Sequence, residues 1–200
     1  MSHTTISQRE LQLYPLFINQ EEADRLFLTL VQQLNWRQDQ IKMFGKCVNI
    51  PRLQCFQGDP GIKYHYSGLS LKSAPWHPLI KTIKQRIEVL SGHRFNSVLI
   101  NYYRNGQDSM GWHSDDEPEL GKNPVIASLS LGQQRRFLFR HRFDKTISPQ
   151  EYLLNSGSLL IMAGQLQHNW QHSVPKTRRP SEGRINLTFR WTYTTDTEME

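Results

Sequence analysis

The run Arg184-Ile185-Asn186-Leu187-Thr188-Phe189-Arg190 alternates polar and apolar side chains without a break. Successive side chains of a strand point to opposite faces, so this run predicts a strand lying between two different environments. Ile185, Leu187 and Phe189 pack outward on one face. Arg184, Asn186, Thr188 and Arg190 turn inward on the other. A guanidinium binds a carboxylate through two parallel hydrogen bonds, so the inward face is a candidate carboxylate pocket.

Upstream lie His113-Ser114-Asp115 and, further along, His172. His113 and Asp115 share one face if their segment is extended. Two imidazoles and a carboxylate on one face of a ferrous ion leave coordination positions open, as non-haem iron oxygenases require. A single His-x-Asp arises by chance in many chains, so the signal lies in the order: His-x-Asp, a distant histidine, then the arginine pair. Zinc hydrolases can use the same ligands. They need no cationic fork, however, and no general-base glutamate motif accompanies these residues. Fe(II) is therefore the expected metal, 2-oxoglutarate the co-substrate and O2 the oxidant. His168 rivals His172 as the distal ligand.

A chain of 200 residues is long enough for one domain with a real core. No apolar run approaches membrane-spanning length, and the polar start carries no signal-peptide core. Cys47 and Cys55 are the only cysteines, so a reducing cytoplasm is expected rather than a disulfide framework. The formal net charge of +6 favours an anionic partner, nucleic acid first. Arg135-Arg136, Arg140-His141-Arg142 and Lys176-Thr177-Arg178-Arg179 suggest a phosphate-binding rim around the metal site. Nothing signals an oligomer or an obligate protein partner, and a monomer is the default.

Asn19-Gln20-Glu21-Glu22 reads as a capping-box helix start, followed by Ala23, Leu26, Phe27, Leu30, Val31 and Leu34 at helical spacing. Trp76, Leu79, Ile80, Ile83, Ile87 and Leu90 form a second apolar stripe, stopped by Gly92. From Phe95 onward short strands follow: Phe95–Tyr103, Val125–Leu131, Arg136–His141, Ser158–Met162 and Arg184–Tyr193. Helices first and strands afterwards fit a mainly β sandwich or jelly roll with buttressing helices. The expected division is an N-terminal region, 1–94, and a jelly-roll core, 95–193.

Asn101-Tyr102-Tyr103, His113-Ser114-Asp115-Asp116-Glu117, His172 and the Arg184–Arg190 strand together resemble the AlkB family of DNA-dealkylating dioxygenases. The likeness runs from about Phe44 to Trp191. It includes Pro51-Arg52, Gly58-Asp59-Pro60-Gly61, Tyr64-His65-Tyr66-Ser67-Gly68 and Leu99-Ile100-Asn101, and is nearest to the member that repairs duplex DNA. The resemblance implies a double-stranded β-helix in which His113, Asp115 and His172 bind Fe(II). Arg184 and Arg190 would grip 2-oxoglutarate, with Asn101, Tyr103, Asn186 and Thr188 lining its pocket.

The resemblance further implies alkylated DNA, single- or double-stranded, as substrate, with 1-methyladenine and 3-methylcytosine as the type lesions. A base must leave the duplex to reach a buried metal. Tyr64, His65 and Tyr66 would hold it, with Tyr66 as the stacking ring and Asp116 facing the substrate. Core packing is the competing reading for Tyr64, and pairing with a nearby arginine the competing one for Asp116. Phe44, with Gly45 and Lys46, would form a hairpin wedge that fills the gap in the duplex. An RNA or protein demethylase with the same chemistry is the alternative, and a non-catalytic nucleic-acid-binding module is a further one. The chain departs from the family pattern at Cys47-Val48, at 143–154 and at Gly164–Gln167.

Overall fold

Asn19 opens α1 (Gln20–Gln33) as its sequence predicts, its side-chain oxygen accepting the Glu22 backbone N–H at 2.9 Å. This holds in the computed structural model, which describes residues 5–43, 45–66, 68–178 and 182–193. The Glu22 carboxylate turns instead to Arg86 on the second helix, at 2.6 Å. That helix, α2 (Pro78–Ser91), starts on a proline whose missing N–H costs nothing there, and ends at Gly92 with φ of 71°. Its buried stripe is Ile80, Ile83 and Ile87, whereas Leu79 and Leu90 are exposed. Trp76 precedes the helix and stacks on Phe189. The expected stripe was too wide, because a helix laid on one side of a sheet buries only its innermost row.

The strands in chain order are β1 (Leu11–Tyr14), β2 (Gln40–Met43), β3 (Lys46–Asn49), β4 (Leu53–Gly58), β5 (Lys63–Tyr66), β6 (Leu69–Lys72) and β7 (Ser97–Tyr103). There follow β8 (Met110–His113), β9 (Ile126–Gly132), β10 (Arg135–His141), β11 (Gln150–Leu154), β12 (Leu159–Met162), β13 (Trp170–Val174) and β14 (Arg184–Arg190). A four-residue helix, α3 (Leu166–Asn169), joins β12 to β13. A six-stranded sheet runs β1-β12-β9-β14-β7-β4 and a four-stranded sheet β11-β10-β13-β8. Hairpins β2–β3 and β5–β6 stand apart as two small ribbons. Two facing antiparallel sheets with buttressing helices are the expected jelly roll. Among the described residues no helix is long and apolar enough to cross a membrane.

The expectation of helices first and strands afterwards needs correction. β1 and β4 join the six-stranded sheet from before residue 95, pairing with β12 and β7. Their sequences, Leu-Gln-Leu-Tyr and Leu-Gln-Cys-Phe-Gln-Gly, lack a β-branched alternation; pairing onto an existing sheet makes them strands.

β14 sits at the centre of its sheet, between β9 and β7. Ile185, Leu187 and Phe189 join the apolar core beneath the helices, with Leu26, Leu30 and Ile83. Arg184, Asn186, Thr188 and Arg190 face the second sheet, and all four are buried. β7 divides likewise, with Val98, Ile100 and Tyr102 on the helix side and Asn101 and Tyr103 facing the space between the sheets.

Candidate metal centre

His113 ends β8 and faces His172 on β13 directly across the ladder. Their ring centroids are 4.2 Å apart. Asp115 lies two residues beyond the strand and turns inward, its N–H donating to the Gln167 side-chain oxygen at 2.9 Å. One ligand atom from each of His113, Asp115 and His172 lies within 4.8 Å of the others. The His113 Nδ1 bonds the Gly111 carbonyl at 2.9 Å. Since a carbonyl can only accept, Nδ1 carries the proton and Nε2 keeps its lone pair for a metal. Asp115 Oδ2 is buried without a hydrogen-bond partner, 3.9 Å from His172 Nε2.

The protonation states suit a divalent cation. Burial depresses His113, and burial reinforced by His113 pushes His172 down to about 3. Burial alone would raise the Asp115 carboxyl, but Arg190, His172 and His113 overcome it and hold the group at about 2. Two neutral imidazoles and a carboxylate result.

Arg190 donates to Asp115 Oδ1 at 2.9 Å, with both side chains buried. Arg184 is completely buried and donates from Nη2 to Ser130 at 2.9 Å, leaving Nε and Nη1 without partners. Burial pushes its pKa down to about 10. Asn186 is tied to β9 through Ser128 Oγ at 2.8 Å and the Leu129 carbonyl. Asn101 accepts from Arg52 Nε at 2.8 Å, so its amide N–H groups remain for the cavity. Asn101, Tyr103, Asn186, Thr188 and Arg190 line one cavity with the three candidate ligands. Arg184 lies against the Tyr103 ring at 5.4 Å.

The substrate candidates fare differently. Tyr64 is a core residue, stacked on Phe56 and capped by the Arg190 guanidinium at 5.3 Å. His65 is exposed and bonds Glu119 at 2.6 Å. Gly45 adopts the left-handed φ of 78° in the turn before β3, and Lys46 is exposed. Phe44 and the Tyr66 side chain lie outside the described residues. Asp116 makes the contact of its competing reading, its carboxylate accepting from Arg142 at 2.6 Å. His168 sits on α3 and bonds the Lys122 carbonyl and Asn123, outside the metal cluster.

The phosphate rim is thinner than expected, because strand alternation splits the basic clusters. Arg136 pairs with Glu151, and Arg140 bonds Gln171 and covers Trp112 at 4.4 Å. Arg135 is buried and donates to the carbonyls of Asn105, Asp108 and Pro175 at 3.1, 2.8 and 2.8 Å. Arg135→Ala is expected to destabilise the fold by about 2–4 kcal/mol, since it strips the donors from these carbonyls; urea unfolding measures it. A loss under about 0.5 kcal/mol, the scatter of surface substitutions, would deny the role.

Two residues escaped sequence reasoning. Arg52 orients Asn101, a contact between residues 49 apart that no local signal announces. Glu117 is pushed up to about 7 by burial and by Asp115, and it lies against Tyr64. Its place two residues beyond Asp115 was the available clue, since an extended chain would put both carboxylates on one face.

Residues 10–190 match the family described as the 2OG-Fe(II) oxygenase superfamily. The human alpha-ketoglutarate-dependent dioxygenase alkB homolog 3 is 44% identical over 90% of this chain, which spans 65% of that protein's length. The Bos taurus protein of the same name is 42% identical, covering 96% of this chain and 69% of its own length. Human DNA oxidative demethylase ALKBH2 is 37% identical, covering 88% and 71%. The solved structure of OsALKBH1 superposes with a TM-score of 0.66 at 18% identity, over 91% of this chain and 96% of that one. At that identity the likeness is one of fold.

Proposed function

The chain belongs to the 2OG-Fe(II) oxygenase superfamily and, within it, to the AlkB homologues, and from that premise we propose that it removes alkyl groups from damaged bases in DNA. The observation that carries this reading is Arg184, a fully buried guanidinium with two nitrogens lacking hydrogen-bond partners, packed against Tyr103, which lines the cavity of the His-Asp-His cluster. A buried cation of this kind calls for an anion, and a dicarboxylate supplies one. A hydrolytic metal site has no use for it.

His113, Asp115 and His172 would hold Fe(II). Arg190, already against Asp115, would take the carboxylate nearer the metal, and Arg184, set back from the cavity behind Tyr103, the farther one. Asn101 donates its amide N–H, oriented by Arg52. When bound, iron with 2-oxoglutarate and O2 supplies the hydroxylation of the N-alkyl carbon, the co-substrate leaving as succinate and CO2. The hydroxyalkyl base then releases formaldehyde. The protein's part is to exclude water with Phe137, Met162 and Val174 and to hold the reacting partners in place.

The name of the ALKBH2 relatives supports DNA, as does the net charge of +6. The test offers single-stranded DNA, duplex DNA and RNA, each carrying 1-methyladenine, in competition, read by mass. Preferential loss of the methyl group from DNA is expected; preference for RNA would replace the substrate while keeping the chemistry. The β2–β3 ladder closes at Met43↔Lys46, just before Phe44, the proposed wedge. Phe44→Ala is expected to lower duplex activity by about tenfold or more, the scale of one lost stacking contact, and single-strand activity far less. Equal losses on both would remove the wedge.

A further inference from the structure

Beyond the loop that carries Asp115 and Glu117, the chain passes through a 3-10 turn, Pro118–Leu120, into residues that wall a separate surface groove. Arg94, Lys122, Trp191 and Tyr193 line it. Its volume of about 410 Å³ is that of a small-ligand cleft.

Three observations set it apart from ordinary surface. Trp191 is 40% exposed, and its indole has no ring contact or hydrogen bond among the described residues. Arg94 and Lys122 are exposed, and their side chains enter no ion pair or hydrogen bond there either. The arginines of β10 and Arg142, by contrast, are consumed by Glu151, Gln171, Asp116 and backbone carbonyls. Finally, the groove is joined to the metal loop through the chain: Leu120, Gly121 and Lys122, which line it, follow closely on Asp115 and Glu117. Tyr193 N–H donates to the Glu119 carbonyl at 2.7 Å, while the Glu119 carboxylate holds His65 of the β5–β6 hairpin. His168 pins the Lys122–Asn123 wall to α3. Hairpin, metal loop and groove are thus linked in succession by direct contacts.

We infer that this groove binds a nucleic-acid strand next to the reacting nucleotide, one base stacking on Trp191 and the phosphodiester lying between Arg94 and Lys122. An aromatic platform beside cations holds single strands with little regard for sequence, because every base has a π-face and every linkage a charge. The inference rests on the nucleic-acid reading above and adds a contact away from the metal.

The first arm measures fluorescence anisotropy of a labelled, unmodified thymidine oligonucleotide of about 15 residues, enough to span one such groove, against the full chain. Trp191→Ala is expected to weaken binding about tenfold, and Trp191→Phe to restore most of it. The double variant Arg94→Ala/Lys122→Ala is expected to weaken binding and flatten its salt dependence. This arm needs no turnover, so it stays readable if the repair reaction fails. The second arm compares the oligonucleotide carrying a central 1-methyladenine with a trinucleotide carrying the same base. In Trp191→Ala the KM for the longer substrate rises while kcat and the trinucleotide constants hold. Unchanged affinity in every variant, or equal losses on both substrate lengths, would overturn the inference. Displacement of the strand by thymidine monophosphate at matched nucleotide concentration would overturn it too, making the groove a free-nucleotide site.

Discussion

Asp115→Asn is expected to abolish turnover and iron retention together while leaving the fold and DNA binding in place. Asp115 has two oxygens in two roles: Oδ1 accepts from Arg190 at 2.9 Å, and Oδ2 is buried and unpaired beside both histidines. Asparagine keeps an oxygen for Arg190 and loses the anionic ligand. Removing even an outer-shell partner of a metal site costs 10–100-fold, so loss of the carboxylate should exceed about 100-fold in iron affinity. Alanine is the poorer test, because it strands Arg190 as an uncompensated buried charge at a cost of about 3–5 kcal/mol. Iron content after dialysis, thermal unfolding and anisotropy with alkylated DNA separate these effects. Asparagine retaining iron and turnover near wild type would dismiss Asp115 as a ligand.

Arg184→Met is expected to impair co-substrate binding severely without harming the apo fold. Arg184 and Arg135 are both buried arginines, yet they make opposite predictions. Arg135 spends its donors on three carbonyls, whereas Arg184 leaves Nε and Nη1 unpaired. Replacing even a buried ion pair by apolar residues of similar volume is often neutral or stabilising, by about 1–4 kcal/mol, and a buried charge without its counter-ion has less to lose. Removing one partner of a buried charge pair at a binding site costs about 2–5 kcal/mol, so the KM for 2-oxoglutarate should rise on the order of 100-fold. Arg184→Lys should rescue little, since an ammonium cannot form the two-pronged contact. Urea unfolding of the apo protein and a 2-oxoglutarate titration measure the two sides. A variant that unfolds as readily as Arg135→Ala and keeps its KM would make Arg184 structural.

Strand alternation made much of the site legible. On β14 it separates the residues under the helices from those facing the second sheet, because period-2 patterning encodes burial on both sides of a strand. The same alternation sets Asn101 and Tyr103 on one face of β7, in the cavity where the family resemblance expected them. Charge partners, by contrast, are tertiary facts. Asp116 found Arg142 across 26 residues, and Arg135 turned inward to hold three carbonyls. Neither fate is written in a local run of charges, so the basic clusters overstated the phosphate rim. β1 and β4 were missed because neighbouring strands, rather than their own patterning, make them strands. Glu117 had a readable clue in its spacing from Asp115, but its burial against Tyr64 comes from the β5 hairpin folding over the metal loop.

The most direct test of the central claim is a mass balance in one reaction. The protein is loaded anaerobically with Fe(II) and 2-oxoglutarate, mixed with oxygenated buffer and an oligonucleotide bearing 1-methyladenine, and assayed for succinate, formaldehyde and the methyl group. One succinate and one formaldehyde for each methyl lost is the predicted result. Methyl loss without succinate, or no succinate under any condition, would contradict the account of the pocket.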